Sequence, residues 1–257
     1  MADRPSGGDF FGTETDWPLG YGRHVLDRVD STLSEAARMA PELGGPAWIL
    51  AHHQTAARGR RGRPWAMPAG NFAATLVMPM AGAPGQAALR SFVMSLALRD
   101  ACVAVTGRED AFALKWPNDV LLRGGKLAGI LLETVGPSHL AIGVGVNLAA
   151  APTVDEVEAG AVPPVALKSL GVDVGPEAFL DLLAGAFARY EAQFSTYGFA
   201  PIRTAWLAHA ARLGVVITAR TTREAHVGTF VDVDGDGQLV LETAKGRMHV
   251  PAADVYF

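Results

Sequence analysis

Cysteine is almost absent from this chain of 257 residues, which contains only Cys102. A single cysteine cannot build an internal disulfide framework, and such scarcity is typical of a reducing compartment. The chain also lacks any apolar run of the roughly 18 residues that a membrane-spanning helix needs. Its first residues, MADRPSGG, lack the apolar core of a secretory signal. These absences predict a cytoplasmic protein without a membrane partner.

Positive charge is not in excess, because 22 Lys and Arg residues stand against 26 Asp and Glu residues, for a net charge of −4. Proteins that bind nucleic acid usually carry a positive face and a high pI, so the composition argues against a nucleic-acid partner. The length is sufficient for one large domain with a sizeable core and a small second domain.

Two common phosphate-binding motifs are missing. The chain has no Gly-x-x-x-x-Gly-Lys-Ser/Thr string, and its Gly143-x-Gly145 segment lacks the third glycine of the dinucleotide fingerprint. If the protein binds a nucleotide, Arg and Lys side chains and loop amides must therefore hold the phosphates.

One segment suits that task. Residues 58–65, here called the arginine loop, read RGRRGRPW and are followed by Gly70-Asn71. Arginine makes paired hydrogen bonds to phosphate or carboxylate, and glycine lets the backbone approach an anion closely. The segment predicts a loop that closes on an anion and is mobile without one. A solvated loop or a nucleic-acid patch is the alternative for a basic run alone.

A second segment places charges in apolar sequence. Two apolar runs predict strands that are joined by a turn at Gly124-Gly125. These runs are bordered or overlapped by the segments KWPNDV at residues 115–120 and GGKLAGI at residues 124–130. Lys115, Asp119 and Lys126 are thus expected beside a buried hairpin, where a charge is costly unless it is paired or binds a ligand. An internal salt bridge is the structural alternative.

Periodicity and turn residues predict the remaining elements. The expected helices span 32–39, 86–105, 177–194 and 202–211, the first opened by a capping box from Thr32 to Glu35. The expected strands include 48–51, 71–78 and 140–148. From Leu213 onward, short strands at 215–219, 227–233, 238–242 and 247–250 predict a small barrel or partly open sheet. Residues 232–237 resemble a calcium loop, but Thr243 replaces the required Glu, so a hairpin turn is expected.

The chain resembles the biotin protein ligase family. The matching segments occur in the family's order over about residues 25–150: Asp30-Ser31-Thr32, Gln54-Thr55, residues 58–65, Gly70-Asn71, residues 115–119, residues 125–130 and residues 143–147. The resemblance implies an α+β fold, with a mixed central β-sheet flanked by helices as in class II synthetases and a small C-terminal SH3-like β-barrel. It implies a flexible lead-in at 1–22, a catalytic domain at 23–212 and an SH3-like domain at 213–257.

The family's activity is ATP-dependent formation of biotinyl-5′-AMP, followed by transfer of biotin to a lysine of a biotin carboxyl carrier protein. The resemblance implies biotin as substrate, ATP with Mg²⁺, no redox cofactor and a possible homodimer. The ligase motifs begin by Asp30, so no N-terminal DNA-binding domain and no repressor function are expected.

The resemblance also implies residue roles. The biotin ureido ring would be bound by Ser31, Thr32 and Gln54. The biotin carboxyl group and the phosphate would be bound by Arg58, Gly59 and Arg60. Lys126 would contact the activated carboxyl group, and Asp119 would orient Lys126. Arg60 would also limit escape of the adenylate. Arg60, Lys126 and Asp119 are the expected catalytic residues.

On the nucleotide side, Arg60 and Arg63 would hold phosphate, Trp65 would pack beside adenine, and Asn147 would line the pocket. No metal ligand is assigned. Structural alternatives exist: Ser31 and Thr32 suit a helix cap, Gln54 a strand end, Trp65 a loop anchor and Asn147 a turn.

Two positions depart from the family pattern. Ala57 replaces a usual Gly and is expected to stiffen the loop entry, and Leu33 replaces a usual Asn that contacts biotin. His52 and His53 have no third ligand at metal spacing, and Cys102 is expected to be inert core.

Two other functions remain as alternatives. A lipoate or octanoate ligase or transferase shares the fold, although Cys102 lies in the wrong context for the nucleophile of a transferase. A non-catalytic nucleic-acid-binding module would use the arginine loop and would bind with steep salt dependence.

Overall fold

The computed structural model describes residues 17–80, 84–153, 157, 162–221, 224–251 and 253–256. Most of the predicted lead-in therefore lies outside the described residues. Its last part is attached to the fold, because Trp17 Nε1 donates to the Tyr21 carbonyl at 2.7 Å and Gly22 N donates to the Pro46 carbonyl at 2.8 Å.

A mixed seven-stranded sheet forms the larger part of the fold. Its strands are β1 (Gly22–Val29), β2 (Ala47–Gln54), β3 (Phe72–Pro79), β4 (Phe112–Lys115), β5 (Asp119–Leu122), β6 (Gly125–Val135) and β7 (His139–Val146). Their order is β1-β2-β3-β7-β6-β5-β4. The β1–β2 pair is parallel and every other neighbouring pair is antiparallel. This confirms the predicted mixed sheet.

Helices cover both faces of this sheet. They are α1 (Thr32–Met39), α2 (Pro84–Ala88), α3 (Arg90–Thr106), α4 (Pro176–Tyr197) and α5 (Phe199–Leu207). Successive residues of β2 point to opposite faces, so Trp48 and Leu50 join the larger core beneath α3 and α4, whereas Ile49 joins a smaller core beneath α1. Trp48 meets Phe187 of α4 edge-on, with ring centres 6.0 Å apart. No helix in the described parts of the chain is long and apolar enough to cross a membrane.

Three helix predictions need correction. The expected helix at 86–105 is two helices separated at Leu89, and α3 is buried on almost all sides because the sheet, α4 and α5 surround it. Helix α5 begins at Phe199, before Pro201, and ends at Leu207. The capping box is wrong, because the N-cap of α1 is Ser31 and no side chain caps it.

The hairpin that carries Lys126 is displaced by one residue from the prediction. Arg123 and Gly124 form its two-residue turn, with φ values of 47° and 84°, and Gly125 already belongs to β6. Paired positive φ values match the twist of the flanking strands, and Gly124 adopts its value without strain.

A separate five-stranded antiparallel sheet follows. Its strands are β8 (Val216–Arg220), β9 (Ala225–Val233), β10 (Leu239–Thr243), β11 (Gly246–Val250) and β12 (Asp254–Tyr256), in the order β11-β10-β9-β8-β12. The four predicted strands are confirmed, and β12 was missed. The predicted turn is also confirmed, because Asp234 Oδ1 accepts from the backbone N–H groups of Asp236 and Gln238.

The C-terminal sheet is in contact with the larger part of the fold. Trp116 Nε1 donates to the Gly237 carbonyl at 3.0 Å, and Arg203 of α5 pairs with Asp232 of β9. These contacts bring β12 alongside the cavity described next.

Candidate active site

A cavity of about 460 Å³ opens where β2, β6, β7, the arginine loop and β12 meet. All residues of the predicted site line it: Ser31, Thr32, Gln54, Arg58, Gly59, Arg60, Arg63, Trp65, Asp119, Lys126 and Asn147. The fold thus brings together segments that are separated by more than a hundred residues in the sequence.

One end of the cavity is lined by hydrogen-bonding side chains. The backbone N–H and Oγ1 of Thr32 donate to Gln54 Oε1 at 2.7 and 3.1 Å, and Thr75 Oγ1 donates to Thr32 Oγ1 at 2.9 Å. Helix α1 starts here and strand β2 ends here, which places Ser31 and Thr32 beside Gln54. The Thr32 hydroxyl therefore serves this network and not a helix cap. Sequence reasoning missed Thr75.

Glycines on β6 and β7 form a flat floor. A Cβ atom on Gly145 would lie 2.7 Å from the Trp65 indole, and one on Gly129 would lie 3.4 Å from it. A Cβ atom on Gly143 would lie 2.9 Å from Leu33. Trp65 therefore rests on the strands, which is the position expected of a loop anchor, and it still borders the cavity.

The arginine loop follows β2 and is closed by two backbone hydrogen bonds. Gly59 N donates to the Arg63 carbonyl at 2.7 Å, and Trp65 N donates to the Ala57 carbonyl at 3.0 Å. The Arg58 guanidinium turns toward α1 and β6, where it meets Glu133 Oε2 at 2.8 Å and Ser34 Oγ at 2.9 Å. Its hydrogen bonds to Glu133 raise the pKa of Arg58. Sequence reasoning did not identify Glu133.

The other three arginines of the loop converge on Asp254 of β12. Its carboxylate oxygens lie 3.2 Å from Arg60 Nη1, 2.8 Å from Arg61 Nη1 and 3.7 Å from Arg63 Nη2. This arrangement places Arg60 and Arg63 at one wall of the cavity, where their guanidinium groups can donate hydrogen bonds to an anion. Sequence reasoning missed Asp254, because a three-residue strand after Pro251 carries no periodic signal.

The opposite wall carries two lysines and one carboxylate. Lys126 Nζ lies 2.8 Å from Asp119 Oδ1, and Lys115 Nζ lies 3.8 Å from Asp119 Oδ2. Oδ1 is buried and makes no hydrogen bond within the described residues, so the ion contact alone compensates its charge. Burial lowers the pKa of Lys115, and Asp119 opposes that shift. The predicted salt bridge exists and borders the cavity.

Two asparagines lie beside the turn that follows β7. Asn71 Oδ1 accepts from Ala149 N at 3.0 Å and from Ala150 N at 3.1 Å, so Asn71 performs the turn role that was considered for Asn147. Asn147 is buried and borders the cavity, with its Nδ2 atom 3.5 Å from the Lys126 carbonyl.

The remaining candidates lie away from the cavity. His52 is on the surface, 3.5 Å from Glu177, and the described residues contain no group of three or more metal-binding side chains. Cys102 is fully buried in α3, and burial raises the pKa of its thiol to about 12, which keeps it unreactive.

Comparisons with known proteins agree with this arrangement. Residues 25–147 match the Biotin/lipoate A/B protein ligase family, and residues 213–257 match the Biotin protein ligase C terminal domain. The chain is 56% identical over 239 residues to a biotin--[acetyl-CoA-carboxylase] ligase of Paracoccus denitrificans, covering 91% of this chain and 99% of that protein. It is 34% identical over 250 residues to the Mycobacterium tuberculosis protein of the same name, covering 92% of this chain and 90% of that protein.

A solved structure shares the fold. The biotin protein ligase from Aquifex aeolicus, in complex with biotin and ATP, superposes with a TM-score of 0.78 at 21% sequence identity. The match covers 91% of this chain and 97% of that one. This likeness supports the two-sheet architecture described above.

Proposed function

The chain belongs to the biotin protein ligase family, and from this premise we propose that it activates biotin with ATP and transfers it to a lysine of a carrier protein. In the first step the biotin carboxylate attacks the α-phosphorus of ATP, so that a P–O bond forms and the bond to pyrophosphate breaks. In the second step a lysine amine attacks the acyl carbon, an amide forms, and AMP leaves while the amine loses a proton.

One observation carries the proposal: a single cavity joins a hydrogen-bonding end, formed by Thr32 and Gln54, to a cationic end. The Thr32–Gln54 network offers donors and acceptors to a neutral cyclic urea. Arg60 and Lys126 border the cationic end, where a carboxylate and a triphosphate have to meet. Both reactants are anions, so fixed positive charge at their meeting point lowers the cost of the transition state.

We assign the residue roles on this basis. Lys126 stabilises charge on the activated carboxyl group, and Asp119 positions Lys126 through their 2.8 Å contact. Arg60 holds the acyl phosphate, and Arg63 supports the phosphate side. Trp65 packs beside the adenine. Ser31, Thr32 and Gln54 bind the ureido ring, Arg58 and Gly59 close the loop around the carboxyl group, and Asn147 lines the nucleotide pocket.

Mg²⁺ fits the site as an ion carried by ATP. Asp119 supplies a buried carboxylate oxygen without a hydrogen bond, the kind of hard ligand Mg²⁺ uses, but two lysines already neighbour that carboxylate. No further metal-binding group clusters with it in the described chain. The phosphates would therefore supply most of its ligands, and the ion would screen their charge.

The wider assignments follow from the same premise. We propose that residues 23–212 form the catalytic domain and residues 213–257 a C-terminal domain, and that the acceptor is the biotin carboxyl carrier protein of a carboxylase. Two relatives, from Paracoccus denitrificans and Mycobacterium tuberculosis, are named biotin--[acetyl-CoA-carboxylase] ligase. A homodimer and a cytoplasmic location remain predictions.

The two alternative functions are not favoured. The relatives are named as biotin ligases, and Cys102 is buried with a raised pKa, so it is no acyl-transfer nucleophile. The arginines of the loop pair with Glu133 and Asp254 and do not form an open basic surface for nucleic acid.

The direct test is to incubate the purified protein with biotin, ATP, Mg²⁺ and a biotin carboxyl carrier domain, and to follow the mass of the carrier. We expect the gain of one biotinyl group. A carrier whose acceptor lysine is changed to arginine is the matched control and should gain none. Equal labelling of both carriers, or none of either, would overturn the proposal.

A further inference from the structure

Three arginines of the loop meet the C-terminal sheet at the carboxylate of Asp254. Its side chain is only 20% exposed. Its position is fixed, because β12 pairs with β8 and the flanking residues Ala253 and Val255 are buried. The Ala253 carbonyl also accepts from Arg60, at 3.4 and 3.5 Å. The loop is therefore bound to a strand of the other sheet.

The loop needs such an anchor. Its guanidinium groups repel one another, and Trp65 is its only large apolar side chain. Arg61 also adopts φ of 58°, a left-handed conformation that is unfavourable for a residue with a side chain. Arg61 makes the shortest of the three contacts with Asp254, at 2.8 Å.

The three arginines are not equivalent. Arg61 does not border the cavity, whereas Arg60 and Arg63 do. Arg61 can therefore keep its contact with Asp254 while a ligand occupies the cavity, and Arg60 can use its remaining donors toward a phosphate, since a guanidinium carries five N–H groups.

We propose that Asp254 is a positioning residue that clasps the arginine loop to the C-terminal sheet, with Arg61 as its anchor, and so keeps the activated acyl phosphate enclosed. This inference rests on the proposed function, because the enclosed species is the acyl adenylate. It assigns the C-terminal sheet a role in retaining the intermediate. A different arrangement, in which Asp254 only occupies the phosphate position and competes with the ligand, predicts opposite results.

The first test needs no catalysis. Limited trypsin digestion of the ligand-free protein reports how often the loop opens, through cleavage after Arg58 and Arg60. Asp254→Asn should be cleaved roughly 3- to 10-fold faster than wild type, the range expected for the loss of a partly buried charge cluster. Glu242→Gln is the matched control, because it removes an exposed carboxylate that pairs with Arg247 inside the same sheet. It should be cleaved at the wild-type rate.

The second test follows the intermediate. Asp254→Asn and Arg61→Gln should each release adenylate several-fold faster than wild type, measured as biotin labelling of a bystander protein, and the double variant should be no faster than either single one.

Equal cleavage of Asp254→Asn and Glu242→Gln would overturn the clasp. So would tighter binding of inorganic pyrophosphate by Asp254→Asn without faster cleavage, which is the result of competition. If no variant forms adenylate, the proposed function fails, and the cleavage result still decides the clasp.

Discussion

Lys126 Nζ lies 2.8 Å from Asp119 Oδ1, and this contact crosses the hairpin of β5 and β6 at the edge of the cavity. Lys115 approaches the other oxygen of the same carboxylate at 3.8 Å. Two ammonium groups thus lie beside one buried carboxylate at this wall, where an incoming anion can meet them. The charge is fixed before the substrate arrives, which is the condition for efficient transition-state stabilisation.

Lys126→Ala should slow adenylate formation by roughly 10²–10³-fold, the range for removing one preorganised charge donor. Pyrophosphate release with biotin and ATP measures this step. Lys168→Ala is the control, because Lys168 is exposed and pairs only with Asp173 among its described ion pairs. A normal release rate in Lys126→Ala would contradict the assigned role.

Gly145→Ala should displace Trp65, because the added methyl group would lie 2.7 Å from the indole. If Trp65 packs beside the adenine, the KM for ATP should rise roughly 10-fold, as expected for the loss of one base–aromatic stack. Trp65→Ala should show a similar rise. Gly185→Ala in α4, where a Cβ atom meets nothing within 4 Å, should leave KM unchanged. An unchanged KM in both Gly145→Ala and Trp65→Ala would remove the assignment of Trp65.

Arg60→Gly should still bind biotin but release the adenylate, because it removes a contact to the acyl phosphate and one of the contacts with Asp254. Free biotinyl-5′-AMP in the solution, quantified by chromatography, is the measurement. Arg38→Gly, outside the cavity and paired with Asp30 and Glu35, is the control and should retain the intermediate. Undiminished carrier labelling by Arg60→Gly, without free adenylate, would end the assignment.

Stability should fall in mild acid through His209. Burial lowers the pKa of His209 below its ordinary value of 6.5, with Arg99 as the second cause. Between the lowered pKa and 6.5 the unfolded chain binds more protons, so the free energy of unfolding decreases as the pH falls through this window. Urea unfolding at about pH 7.5 and about pH 5.5 should show the decrease, and His209→Gln should make it smaller. The same decrease in His209→Gln would assign it to other groups.

Local motifs predicted much of the site because glycine and charge patterns are local signals. The sequence RGRRGR predicted a loop, and Gly124-Gly125 predicted a hairpin turn, which the structure places one residue earlier, at Arg123-Gly124. Residues near in sequence, such as Asp119 and Lys126, could therefore be placed together before their geometry was known.

The site residues that could not be predicted from the sequence are brought to the site by tertiary contacts. Asp254 comes from a three-residue strand of the other sheet, and Glu133 from a strand 75 residues beyond Arg58. Thr32 was expected to open a capping box, but its hydroxyl meets Gln54 and Thr75 instead, because β2 and β3 lie next to α1. These contacts join residues that are far apart in the chain, so they leave no periodic signal in a single sequence.

The most direct test is pyrophosphate release by the wild-type protein with ATP and Mg²⁺ but without any carrier, in the presence of either biotin or lipoate. We expect a biotin-dependent burst of about one pyrophosphate per protein, followed by slow release because the adenylate stays enclosed, and no burst with lipoate. Release that is independent of biotin, or equal with lipoate, would contradict it.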